Sequence, residues 1–205
     1  MSHSSSIHHS SFLWRLIETA LVLGVFALQG ATPVPDVNEP CYLGKAIHFW
    51  TPDWAKGDFF LEAADARQVF YFTFGWLAIW LSPPALAWTG RWLTWALLAW
   101  SWQRLSFAVL PRAWWSVLSA ALLVCLADRC HAAGEWIVGG VEAKGFAFAL
   151  MFFGLEAIIA GRWNRAWLLL GASSMFHVLV GGWSAVAAAA VWLAEGSDRK
   201  KRRYR

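Results

Sequence analysis

Apolar runs long enough to cross a lipid bilayer recur along the whole of this 205-residue chain. A helix rises about 1.5 Å per residue, so a hydrocarbon core of roughly 30 Å takes about 20 apolar residues. Runs of this kind cover 12–29, 69–88, 92–110, 113–127, 146–160 and 166–194, and leave little length for a water-soluble domain. Lipid cannot satisfy backbone polar groups, so the runs predict helices. The expected fold is all-α: a polytopic membrane bundle of six spans, or seven if the last run is two half-helices around Gly181-Gly182. Pro83-Pro84 should kink or break the second run. The chain is 59% hydrophobic and only 15% charged, whereas soluble domains carry about 25% charged residues. One signal peptide cannot produce that balance. The first run reads as a signal anchor, with Arg15 and Glu18 spaced to pair.

Between and beyond the runs lie three polar segments. Residues 1–11, rich in Ser and His, are expected to be disordered. The loop 31–67 is net acidic and carries structure of its own. Pro40 suits the first turn of a helix, and Leu43, Ala46, Ile47 and Trp50 then share one face. This describes a short amphipathic helix on the membrane surface. Thr51-Pro52 should cap and start a further turn, and Gly57-Asp58 another. The tail 195–205 has six basic residues in its last seven positions. Under the positive-inside rule it is cytoplasmic, and it can touch anionic lipid. Six spans put both termini inside and 31–67 outside, but leave Arg162 and Arg165 outside, against the rule. Splitting the last run reverses that conflict unless another span is recounted.

Trp is present in 17 copies. Many flank the runs, where an indole ring meets lipid and its N–H meets water. The net charge of +4 comes from the tail, and no basic, aromatic-interleaved patch suggests nucleic acid. Cys41, Cys125 and Cys130 form no zinc or disulfide pattern.

Charges at or inside a membrane are costly and need a partner or a use. The densest group is Asp36-Val37-Asn38-Glu39-Pro40-Cys41-Tyr42-Leu43. Asp36 and Glu39 precede a helix whose dipole stabilises carboxylate anions. That suits a base or a metal ligand, although capping alone would account for both. Asp58 stands beside a glycine, ahead of a Phe pair, with Glu62 and Asp65 nearby. Asp128, His131 and Glu135 would share a face if helical, and His131 and Glu135 could chelate a metal, but Gly134, Gly139 and Gly140 argue against a continuous helix there. Glu142 and Lys144 can pair. Ser174, His177, Gly181 and Ser184 would share one helix face, for close packing or a polar cavity. Arg104 and Glu156 need partners and could supply each other.

The first span followed by an acidic loop with Asn38-Glu39-Pro40-Cys41-Tyr42 resembles the polytopic glycosyltransferases of the C superfold. Those enzymes carry an Asp/Glu motif in the first external loop and use lipid-linked sugars. Here Asn38 stands where the family often has Asp. The segments 38–43, Gly57-Asp58-Phe59-Phe60-Leu61, 139–144 and 176–181 also resemble loops of a group of bacterial multi-spanning proteins. The resemblance implies a multi-pass protein of the bacterial inner membrane that transfers a sugar from a polyprenyl-phosphate donor. Glu39 would be the catalytic base with Asp36 beside it. Asp58, Glu142, Lys144, His177 and Arg162 would bind substrate, and a divalent metal is left open. Family members are usually longer, so a shortened form is expected. Two other readings remain: a transporter with a polar path through Arg104, Glu156 and His177, and a non-catalytic membrane subunit.

Overall fold

The computed structural model describes residues 3–36, 38–129 and 137–203, without the side chains of 3–11, 128 and 196–203. The regular elements among the described residues are all helical, with no strand. Helix α1 is His3–Gly30, α2 Glu39–Trp50, α3 Phe59–Glu62 and α4 Gln68–Thr73, followed by a 3₁₀ turn at Gly75–Ile79. Then come α5 (Pro83–Val109), α6 (Trp115–Arg129), α7 (Ala143–Ile159), α8 (Trp163–Phe176) and α9 (Val178–Arg203). The backbone of the stretch expected to be disordered joins α1 from His3 onward.

Two boundaries differ from the sequence expectation, and both have local causes. The run expected at 69–88 is α4, a 3₁₀ turn and then a stop. Ser82 is extended and Pro83 opens α5, because a prolyl ring has no N–H to give but suits a first turn. From there α5 continues to Val109 through Gly90, so the runs expected at 69–88 and 92–110 share one long helix. Gly90 is a contact point, not a break: a Cβ there would lie 2.5 Å from Val141 Cγ2. The last run does split in two, at His177 and not at Gly181-Gly182. His177 is extended (φ −151°, ψ 105°) and its N–H closes α8 on Ser173 O at 2.9 Å. Gly181 lies inside α9, where the helix leaves the end of α8 too closely for any Cβ. The expected face of Ser174, His177, Gly181 and Ser184 is therefore divided between two helices.

Side-chain contacts fix the directions of the long helices. Gln103 of α5 donates to Glu18 (3.2 Å), and Arg91 of α5 lies by Gly30, so α1 and α5 are antiparallel. A Cβ on Gly145 would meet Thr94, and Arg104 pairs with Glu156 at 2.8 Å, so α7 runs with α5. Ser173 Oγ donates to Ala147 O, and Gly154 faces Leu170, so α8 returns against α7. The two ends of the bundle differ. One carries α2, α3, α4 and the 3₁₀ turn as a cap. The other carries the α5–α6 and α7–α8 turns.

Two apolar cores follow from this. Under the cap, Tyr42, Leu43 and Ala46 of α2 pack on Phe70, Phe74 and Val141. In the bundle, Val22, Phe26, Trp95, Leu98, Ala120 and Phe152 interlock. The outer faces are apolar as well. Leu118, Leu122 and Leu126 of α6 are 61%, 57% and 50% exposed, and Leu179, Trp183 and Val186 of α9 are more exposed than buried. Among the described residues, two helices are long and apolar enough to cross a membrane, at Phe12–Gly30 and Val178–Glu195. Only 17% and 11% of their residues are buried, unlike the central helix of a soluble core.

Candidate functional site at the cap

Pro40 sits in the first turn of α2, as expected, and leaves Glu39 at the point where the cap meets the bundle. Both Glu39 oxygens are fully engaged. Oε1 accepts from Arg91 Nε at 2.7 Å and from Val141 N at 2.9 Å. Oε2 accepts from Arg91 Nη2 at 2.7 Å and from Asp36 N at 2.8 Å. Arg91 turns its remaining nitrogen, Nη1, to Thr32 O at 2.6 Å and lies against the Trp88 ring. Neither Glu39 nor Arg91 has any solvent-exposed surface. Gly140 leaves room for this, because a Cβ there would come within 2.8 Å of Glu39 Cγ.

Burial alone would push the Glu39 carboxyl up. The Arg91 hydrogen bonds, the Asp36 and Val141 N–H groups and the guanidinium charge outweigh it and hold the group below its ordinary value. A general base must come within about 2.6–3.2 Å of the proton it takes. Glu39 has its lone pairs committed and no surface to offer, so this arrangement does not support the base role that the resemblance implies. It fastens α2, the end of α1, α5 and residues 139–141 together.

Four of the residues expected at the site do gather here. Asn38 Nδ2 donates to Glu142 Oε1 at 2.8 Å, and Lys144 lies 3.8 Å from Glu142. Asp36 accepts from Thr32 Oγ1 at 3.2 Å, next to Glu39. The other three are elsewhere. Asp58 caps α3, accepting from Leu61 N at 2.9 Å. Thr51 closes α2 on Ile47 O and also opens a turn, as expected, its carbonyl accepting from Trp54 N at 2.9 Å. His177 marks the α8–α9 joint, where its Nδ1 accepts from Val180 N at 3.3 Å, and neighbouring Phe176 stacks on Phe146. Arg162 lies at the far end, sharing Glu156 with Arg104. Glu156 is ten residues along α7 from Phe146, about 15 Å, so His177 lies well away from Arg104 and Glu156 along the bundle. Arg15 does not pair with Glu18, whose carboxylate takes Gln103 Nε2 and Trp114 N instead. His131 and Glu135 fall outside the described residues, among which no group of three metal-binding side chains occurs.

The opposite face of α2 borders a cleft of about 310 Å³, lined by Lys45, His48, Phe49, Glu62, Gln68 and Tyr71 among others. Its floor is a buried network. Tyr71 OH donates to Asp65 Oδ2 at 2.7 Å, Arg67 N to Oδ1 at 2.9 Å, and Lys45 lies 3.6 Å from the same carboxylate. Burial raises Asp65, but Tyr71, the Arg67 N–H and the two cations pull it below its ordinary value. Burial and the Asp65 anion push the Tyr71 phenol up. His48 Nδ1 lies 2.8 Å from Trp54 O. A carbonyl can only accept, so Nδ1 carries the proton and Nε2 of the neutral ring is an acceptor. Gln68 donates to Asp65 O, which leaves its amide oxygen as another acceptor. Around the cap, Phe59, Phe72 and Trp80 are 91%, 59% and 76% exposed.

Arg91 is the residue of this cluster that the sequence does not single out. It was hidden in Trp88-Thr89-Gly90-Arg91-Trp92, taken as a gap between spans. A single cation within the apolar pattern 83–109 was the signal. No protein-family model, curated protein or solved structure matches the chain.

Proposed function

We propose that the chain is a membrane protein of six crossings, α1 and α5 to α9, whose outward cap binds the polar head of an amphiphile in the outer leaflet. The head group that fits the cleft is a sugar, as in a lipid-linked donor. The observation that carries this reading is the cleft on α2. It sets acceptors (Glu62, Gln68, the His48 Nε2) and a cation (Lys45) around Phe49 and Tyr71, beside side chains suited to a bilayer surface. Hydroxyl-rich ligands take this mixture of hydrogen-bonding groups and ring faces. With Glu39 locked to Arg91, the role is binding or presentation of the ligand, not transfer with Glu39 as base.

Charge supports the orientation. Counting α5 once and the last run twice leaves six crossings. Arg104, Arg112, Arg162 and Arg165 then share one end with the basic tail, and the acidic cap has the other. The positive-inside rule makes the basic end cytoplasmic. Helices α6 and α8, at 15 and 14 residues, are short for a crossing. Trp114, Trp115, Trp163 and Trp167 near their basic ends serve as interface anchors, and local thinning accommodates such lengths. The bacterial inner membrane follows from the resemblance.

Two measurements test the reading. In a cysteine-free background, a membrane-impermeant maleimide should label Lys56→Cys in intact cells and Asn164→Cys only after permeabilisation. The reverse pattern would refute the orientation. Protein in nanodiscs should retain a short-chain polyprenyl-phosphate hexose better than the same lipid without the sugar, and His48→Ala and Gln68→Ala should remove that difference. Equal retention of both lipids would refute the ligand class.

A further inference from the structure

The basic end holds a second groove, of about 260 Å³, between α1 and α5. Phe12, Arg15, Leu16, Thr19, Trp100, Gln103 and Arg104 line it. We infer that this groove binds the phosphate-bearing head group of an anionic phospholipid from the cytoplasmic leaflet. The inference rests on the six-crossing reading for its place in the membrane.

The charges are arranged for an anion. Arg15 has no carboxylate partner among the described residues, and its guanidinium lies 4.3 Å over the Phe107 ring. The carboxylate expected to neutralise it, Glu18, is buried and is taken up instead by the groove-lining Gln103 and by Trp114 N. Arg104 shares the Glu156 carboxylate with Arg162, at 2.8 and 2.7 Å, so one negative charge serves two cations. Its Nε is buried with no hydrogen-bond partner among the described residues. Counting Arg15, Arg104 and Arg162 against Glu18 and Glu156 leaves a net positive charge at the groove.

The rim chooses a lipid over a free anion. Phe12 is 62% exposed, Leu16 50% and Trp100 51%. They continue into exposed Leu13, Ile17 and Leu21 along α1, a surface for an acyl chain next to the cations. A phosphodiester between two guanidiniums gains charge-assisted hydrogen bonds, and its chains cover apolar area that water would otherwise meet.

The test uses the full chain in nanodiscs of equal parts phosphatidylglycerol and phosphatidylcholine, with bound lipid counted by native mass spectrometry. One phosphatidylglycerol should stay with each chain. Arg15→Gln should reduce its retention about tenfold, the weight of one charge-assisted contact. Thr19→Phe keeps both arginines but fills the groove, and should reduce retention as much. Arg112→Gln, which removes a cation from the same end outside the groove, should change nothing. Equal losses from Arg15→Gln and Arg112→Gln would show diffuse attraction and overturn the inference. So would full retention in Thr19→Phe, or displacement of the lipid by inorganic phosphate. The melting temperature of each variant in phosphatidylcholine alone separates lost binding from lost folding. The maleimide pattern reports on the orientation independently.

Discussion

Glu39 and Arg91, 52 positions apart in the chain, meet through two 2.7 Å hydrogen bonds with neither side chain exposed. Removing one partner of such a pair leaves an uncompensated buried charge, which costs about 3–5 kcal/mol. Arg91→Met and Glu39→Met should each lower the melting temperature in detergent sharply. The double variant should recover most of the loss, because neither charge is then stranded. Additive losses would show that the two residues do not act as a unit.

Gly140→Ala should act on the same contact without touching its charges. The new Cβ would stand 2.8 Å from Glu39 Cγ and 3.0 Å from Oε1. Overpacking of this kind costs about 1–3 kcal/mol. Gly171→Ala, with nothing within 4 Å of its Cβ, is the matched control inside α8. It should be neutral or slightly stabilising, since alanine is the better helix former by about 1 kcal/mol. Thermal melts of the two variants decide the matter, and equal behaviour would contradict the packing.

The cap should lose stability at both extremes of pH. Asp65 titrates below its ordinary 3.8 in the folded chain, so its contribution is present above that value and lost as pH falls through the lower folded one. Tyr71 titrates above its ordinary 10.0, so its contribution is present below that value and lost as pH rises through the higher folded one. Proteolysis within 52–67 should therefore be slow between these limits and accelerate beyond each. Tyr71→Phe should abolish the alkaline rise and weaken the cap at neutral pH, by about 1.5–3 kcal/mol for a hydrogen bond to a charged group.

Asp58→Ala should cost about 1 kcal/mol, the usual price of an N-cap, and the damage should stay local. Faster hydrogen exchange at the Leu61 amide, with the lipid-linked sugar still retained, is the expected result. Loss of retention would return Asp58 to the ligand site.

The helical class was legible because lipid admits few backbone solutions, and α2 because Pro40 and the spacing of Leu43, Ala46 and Ile47 are local signals. Two boundaries of the long helices were not legible. Residues 89–91 stood between two expected runs, yet the helix continues through Gly90, where Val141, far along the chain, fills the space beside it. His177 looked like a mid-helix polar residue, yet the close approach of Gly181 to Ser174 requires the turn there. The gathering of Asp36, Glu39, Glu142 and Lys144 matched the motifs. Their meaning depended on Arg91, which no local pattern links to Glu39. The cleft was equally hidden, since Lys45, Asp65 and Tyr71 meet only when α4 folds back on α2.

The partners of Glu39 also impose an order on biogenesis. Arg91 follows it by 52 positions and Val141 by 102, so the ribosome delivers the carboxylate well before either. In the proposed six-crossing topology, threading of α1 delivers residues 31–62 to the far side of the bilayer with the Glu39 anion still unpaired. Threading α5 brings a guanidinium to meet that anion. On that topology the passage of Arg91 accompanies docking of the waiting segment, and closure is completed only when Val141, in the stretch before α7, donates its N–H to Glu39.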